Sequence, residues 1–359
     1  MKKTGQVISP LHGGKAPPWL FDRMRMLSRY VLLALREDFG SDVILEKLSD
    51  PFWFQCLGCV LGFDWHSSGL TTTVCGALKE AARGIELEMG LFIAGGKGRT
   101  SRKTPEEIAR WSEVSGAPGE NLVQASRMSA KVDSAAVQDG YQLYHHTFIF
   151  TPGGKWTVIQ QGMNEESRTA RRYHWLGEKV DQFVCEPHSG IAADRVHQRV
   201  LNLVAKESEE CRRASVLIAN TPPPRWKAEA RGGKFLLMPQ RHDVRTEDID
   251  SRRVWRILLK TYESAPKDFE KLLALPGVGE KSLRALALLS ELLYGKPPSF
   301  TDPARFSYAH GGKDGTPYPV DRKTYDITIA ALKRAVEASR LGNQEKLKAM
   351  RTLAAFYDL

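Results

Sequence analysis

Apolar residues recur at helical spacing from the start of the chain. After Pro17-Pro18-Trp19, which reads as a helix start, Leu20, Met24, Leu27, Val31 and Leu35 follow until Gly40. Residues 41–48, 51–61 and 69–83 continue as helices, the last capped by Ser67 or Ser68. Residues 85–94 are strand-like and end in Gly95-Gly96-Lys97-Gly98. Thr104-Pro105-Glu106-Glu107 then opens a helix, with proline at the first position and acids on the positive end of the dipole, and helices run to about residue 137. The pattern changes to β over residues 141–151 and 155–163, where β-branched and aromatic residues flank Pro152-Gly153-Gly154, a hairpin signal. A helical pattern returns over residues 192–220, stops at Pro222-Pro223-Pro224, and resumes from 246, interrupted by the Gly/Pro-rich residues 299–319. This predicts an α+β protein in three parts: a mixed helix and β-hairpin domain over 1–185, a helical, basic connector over 186–245, and an all-α domain over 246–359.

At 359 residues, 42% hydrophobic and 26% charged, the chain has ordinary globular composition and length for more than one core. Lys plus Arg outnumber Asp plus Glu by 52 to 42, a net charge of +10 that suits a polyanionic partner. No apolar run reaches the roughly 20 residues of a membrane span, and the first ten residues lack the apolar core of a signal peptide. The five cysteines are an odd number in a large chain, which fits reduced thiols. The expectation is a cytoplasmic protein without membrane contact.

The most specific chemistry lies at Leu275-Pro276-Gly277-Val278-Gly279-Glu280-Lys281-Ser282, between one apolar helical pattern (Phe269, Leu272, Leu273) and another (Leu283, Leu286, Leu289, Leu293). Two glycines let the backbone turn sharply and expose N–H groups at a helix N-terminus, where the dipole favours phosphate. Lys281 adds a charge and Ser282 a hydroxyl. Gly277, Val278, Gly279, Lys281 and Ser282 are therefore the expected DNA contacts, holding the backbone without reading sequence. The segment resembles the helix-hairpin-helix clamp of many repair enzymes, polymerases and ligases. More closely, it is similar to the hairpin of endonuclease III-type DNA glycosylases. That resemblance implies Lys281 as a Schiff-base nucleophile, Tyr294-Gly295 as the aromatic-glycine pair and Asp302 as the catalytic Asp, stabilising charge or activating the nucleophile. The second helix is longer here, proline follows Asp302, and no four-cysteine cluster comes after it.

A second candidate lies in the N-terminal half. Asp133, Asp139, His145, His146 and Gln160 bring carboxylates, imidazoles and an amide towards the hairpin, with His145 and His146 on opposite faces by strand alternation. Asp139 and His146 are the expected ligands of a divalent metal, Mg²⁺ or Mn²⁺, activating water against a phosphodiester. Lys97 and Arg99 are the basic groups expected to hold DNA beside it. Polar residues on a half-exposed sheet are the competing reading. Cys56, Cys59, Cys185 and His188 carry zinc-ligand spacing, although the first two also fit the apolar face of a helix.

Several segments together, among them Lys131-Val132-Asp133, Gln138-Asp139-Gly140-Tyr141, Tyr144-His145-His146, Gln160-Gln161-Gly162-Met163-Asn164, Arg171-Arg172-Tyr173-His174-Trp175 and His310-Gly311-Gly312-Lys313-Asp314-Gly315, resemble the "domain of unknown function" proteins of archaea and thermophilic bacteria. The resemblance implies a prokaryotic cytosolic protein with the hairpin module as its C-terminal part. The combined expectation is a DNA-binding, metal-dependent, structure-specific nuclease of repair or recombination that could form a homodimer. A glycosylase or abasic-site lyase using Lys281 and Asp302, and a non-catalytic DNA-binding protein, are the alternatives.

Overall fold

The computed structural model describes residues 16–63, 67–193, 196–222 and 252–304. Helix α1 (Pro18–Phe39) starts at the predicted proline and ends at Gly40, whose φ of +81° suits glycine. Its stripe of Met24, Leu27, Val31 and Leu35 is buried as predicted. Helices α2 (Ser41–Ser49), α3 (Pro51–Val60) and α4 (Gly69–Ala82) follow. Asp50 caps α3 by accepting from the backbone N–H groups of Phe52 (2.8 Å) and Trp53 (3.3 Å). The strand expected from residue 85 begins later. A short helix α5 (Glu86–Met89) closes on Gly90, at φ +58°, and β1 (Phe92–Lys97) comes after it.

Helices α6 (Thr104–Ser115) and α7 (Gly119–Lys131) are joined by three residues and packed together, so they run antiparallel. α7 runs into a π-helical turn, Val132–Ala136, and a two-residue strand β2 (Val137–Gln138). The expected hairpin is β3 (Gln142–Phe150) and β4 (Trp156–Asn164). It forms the middle of a larger antiparallel sheet in the order β1-β3-β4-β5-β6, with β5 (Thr169–Leu176) and β6 (His188–Ala192) unforeseen. The helix expected over 192–220 is corrected: it holds the end of β6, the strand β7 (Leu201–Asn202) paired with β2, and only then α8 (Glu209–Ala219). The described C-terminal part contains α9 (Arg252–Ser264), α10 (Phe269–Ala274) and α11 (Glu280–Tyr294), after which Ser299 bridges back to Asn202. Residues 223–245 of the basic connector and the loop at His310 lie outside the described residues.

Both faces of the sheet are covered. Ile93, Ile149, Ile159 and Leu176 pack on α1 to α4. Phe92, Phe148, Val158 and Trp175 share a cluster with α6 and α7, and also with Leu272 and Leu273 of α10 and Leu286 of α11. One core thus extends from β1 to the C-terminal helix pair. The sheet is not half-exposed: residues Trp156 to Gly162 of β4 are all buried, so its polar side chains need internal partners.

Gly95 shows how closely the sheet edge is packed. Its φ is +88°, and a Cβ placed there would lie 2.2 Å from the His146 carbonyl oxygen and 2.5 Å from Thr104 Oγ1. Gly95→Ala combines backbone strain with a clash against the neighbouring strand, and should cost about 2 kcal/mol or more. Denaturant unfolding of this variant should show a lower midpoint, whereas Gly98→Ala, with φ +61° but open space around it, should cost less.

Candidate functional site

Along the central strands the apolar residues gather at one end of the sheet and the polar residues at the other. Register places Lys97 opposite His145, His146 opposite Gln160, Gln160 opposite Tyr173 and Gln161 opposite Arg172. On the α7 face a buried chain runs from Ser126 Oγ to His146 Nε2 (2.9 Å), from His146 Nδ1 to Gln160 Oε1 (2.8 Å), and from Gln160 Nε2 to Asp133 Oδ2 (2.5 Å). An amide oxygen only accepts, so Nδ1 carries the proton and Nε2 accepts from the Ser126 hydroxyl. Burial pushes the His146 pKa down to about 4, which keeps the ring neutral. Asp133, on the π-helical turn, also accepts from Trp175 Nε1 (2.9 Å) and His188 Nε2 (2.5 Å). Burial pushes its carboxyl up, and His188 and Trp175 work against that.

Next to this chain, Asp139 accepts from the Tyr173 hydroxyl (2.7 Å), Arg171 Nη1 (2.9 Å) and the Tyr141 N–H (3.1 Å). Arg171 also forks onto Asp302, at 3.0 and 2.8 Å. Burial pushes the Asp302 carboxyl up, but Arg171 and the backbone N–H groups of His197 and Ala304 outweigh it and hold it below the usual range. On the opposite face, His145 meets Thr147 Oγ1 at 3.0 Å, and burial, with His146 and Lys97 nearby, pushes its pKa down to about 3. Arg172 there donates to His174 Nε2, Thr71 Oγ1 and Gln55 Oε1.

Of the expected catalytic residues, Asp133, Asp139, His146 and Gln160 therefore share one face, and His145 lies on the other. The expected metal pair, Asp139 and His146, is not joined: each has its donor atoms engaged by other side chains. Among the described residues no group of three or more His, Cys, Asp or Glu is placed to hold a metal ion. Cys56 and Cys59 are buried in α3, and His188 is occupied by Asp133. Sequence reasoning gave no role to Arg171 and Tyr173, and it read His188 as a zinc-spaced ligand instead of the partner of Asp133. The available signal was the pair Arg171-Arg172 within a strand, since neighbours there enter opposite faces and each charge needs its own partners.

The second candidate is the loop between α10 and α11. Asp268 caps α10 through the Lys271 N–H (2.7 Å), and Gly277, at φ +90°, makes the turn that the two glycines predict. Gly279 is the N-cap of α11, with Ser282 Oγ accepting from its N–H (2.9 Å) and donating to its carbonyl (3.0 Å). Ser282 and Val278, both expected DNA contacts, are buried: the hydroxyl completes the cap and the valine enters the core. Gly277 and Lys281 are exposed.

The loop is held from below by the N-terminal half. Lys131, the last residue of α7, donates to the carbonyl of Val278, and Gln138 Nε2 donates to that of Glu280 (3.0 Å). Burial lowers the Lys131 pKa. A cleft of about 550 Å³ beside the loop is lined by Lys131, Ser134, Gly277, Gly279 and Lys281. Exposed Lys97 and Arg99 precede the N-terminus of α6, which lies at the same end of the antiparallel α6/α7 pair as Lys131. The structure does not join Lys281 to Asp302, because the carboxylate is taken by Arg171, His197 and Ala304.

A family model described as "Protein of unknown function (DUF763)" matches residues 5–320. No curated protein and no solved structure matches the chain. No helix among the described residues is long and apolar enough to cross a membrane.

Proposed function

The chain belongs to the DUF763 family of proteins of unknown function, and we propose from its geometry that it binds DNA by the phosphate backbone, without sequence preference, through the loop between α10 and α11. One arrangement carries this reading. A glycine-hinged loop at the N-terminus of a 15-residue helix is propped up by Lys131 and Gln138 beside exposed Lys281. Partial positive charge at a helix N-terminus, backbone N–H groups and a lysine favour one phosphate together. Gly277, Gly279 and Lys281 make the contact; Val278 and Ser282 shape it from inside. Lys97 and Arg99 add cations at the same end of the molecule. The satisfied network around Asp133 and Asp139 then serves as the scaffold that holds the π-helical turn, and through it the loop.

Fluorescence anisotropy with a duplex of arbitrary sequence tests this. Wild-type affinity should fall steeply with salt, and Lys281→Glu should weaken binding about tenfold and reduce the salt slope by about one. Unchanged binding by Lys281→Glu would refute the clamp.

A further inference from the structure

The cleft at the hairpin does not end there. On one side it shares Lys131 and Ser134 with a cleft of about 720 Å³ between α7 and α10. On the other it shares Ile257 and Gly277 with a cleft of about 540 Å³ that carries Arg256 and Lys260 of α9. One groove thus passes around the loop. Arg256, Lys260, Lys281, Lys131, Arg127 and Lys271 line it in turn. Its α7/α10 end differs from the rest, with apolar Val123, Met128 and Ala274 beside the hydrogen-bonding side chains of Glu120, Gln124 and Glu270.

We propose that this groove carries a single strand of DNA leaving the hairpin, with its phosphates on the six cations and an unpaired base in the α7/α10 cleft. The proposal rests on the hairpin reading and adds the class of substrate: DNA with a single-stranded segment beside a duplex. The cleft volume lies within the range of sites that enclose small molecules. α7 and α10 are in contact, and packed helix axes lie about 8–10 Å apart. A duplex, whose major groove alone is about 12 Å wide, rests on such a cleft, whereas one base enters it. Glu120 and Glu270 would repel a phosphate, yet carboxylates accept hydrogen bonds from the amino groups of bases. Cations tracking a backbone beside apolar surface for the bases is the general design of single-strand grooves.

The test measures anisotropy of the full chain with a blunt duplex, the same duplex carrying a short oligo-dC overhang, whose bases carry the amino group, and the overhang strand alone. The overhang should tighten binding roughly tenfold over the blunt duplex. Ala274→Leu, at an exposed position, fills the cleft, and Arg127→Glu reverses a cation on its rim. Each should remove the gain from the overhang while leaving blunt-duplex affinity within about twofold. An overhang that adds nothing, or a gain that survives both variants, overturns the proposal. Failure of the hairpin reading shows separately, as blunt-duplex binding that Lys281→Glu leaves intact.

Discussion

Arg171→Met should lower the unfolding temperature by on the order of 10 °C, from a loss of about 3–5 kcal/mol. Arg171 is fully buried between two carboxylates, Asp139 at 2.9 Å and Asp302 at 2.8 Å. Burial alone would lower its pKa, but the two anions raise it well above the ordinary value, so it stays charged. Without it, the two buried carboxylates keep, among the described residues, only Tyr173 and backbone N–H groups as donors. The triple variant Arg171→Met, Asp139→Asn, Asp302→Asn removes the stranded charges and should recover part of the loss, because the penalty lies in the unpaired ions more than in the missing attraction. Arg171→Lys should still be destabilising, since one ammonium cannot fork onto Asp302 and reach Asp139 together. Thermal unfolding followed by circular dichroism decides the matter; a fall of under about 2 °C for Arg171→Met would show that the triad carries no net stabilisation.

That triad also connects the sheet with the loop between α10 and α11. Asp302 follows α11 in the chain and is pinned to β5 by Arg171, while Lys131 and Gln138 hold the loop before α11. Both ends of α11 are therefore fixed on the same scaffold. Between Lys131 and Gln138 lies the π-helical turn, whose Asp133 is gripped by Gln160, Trp175 and His188. π-helical turns inside helices are frequent at functional sites. Here the turn sets the direction of two side chains that reach the loop, while its carboxylate is anchored in the core.

The parts of this fold that were legible in the sequence are those where burial is apolar and local. The stripe of α1, the β3/β4 hairpin and the two-glycine loop each announce themselves by period or turn chemistry. β5 was not legible, because Arg171, Arg172, Tyr173 and His174 are buried with polar partners from α2, α3, α4, Asp139 after β2 and the segment after α11. No hydrophobic period marks a strand whose core contacts are hydrogen bonds to distant residues. β7 was read as helix and β6 was not foreseen because each is short, and pairing across the chain, not local propensity, makes them strands. The candidate site divides the same way. Lys281 and its glycines stood out, whereas Lys131 and Gln138 depend on contacts more than 140 residues away in sequence.

The same polar burial makes the protein sensitive to acid. His145, His146 and His174 are all buried. Burial, the largest cause in each case, lowers their pKa values to about 3, to about 4 and well below the ordinary value, respectively. In the unfolded chain each takes up a proton near pH 6.5, while in the folded protein each remains neutral. Below pH 6.5 the unfolded state thus binds more protons, and stability falls as pH falls towards 4, by up to about 1.4 kcal/mol per pH unit for each histidine. Asp133 and Glu270 oppose this, because their raised pKa values let the folded state take up protons first, but they are two groups against three. The depressed Asp302 contributes stability above its unfolded pKa of about 3.9 and loses it only at still lower pH. The urea midpoint should therefore drop steeply between pH 7 and pH 5, and a flat profile over that window would refute the neutral assignment. His145 allows the sharper test. Its Nδ1 has no hydrogen-bond partner among the described residues, and its Nε2 meets the Thr147 hydroxyl at 3.0 Å. His145→Leu should cost little at pH 7.5 and make the decline below pH 6.5 shallower by about a third, the share of one histidine in three.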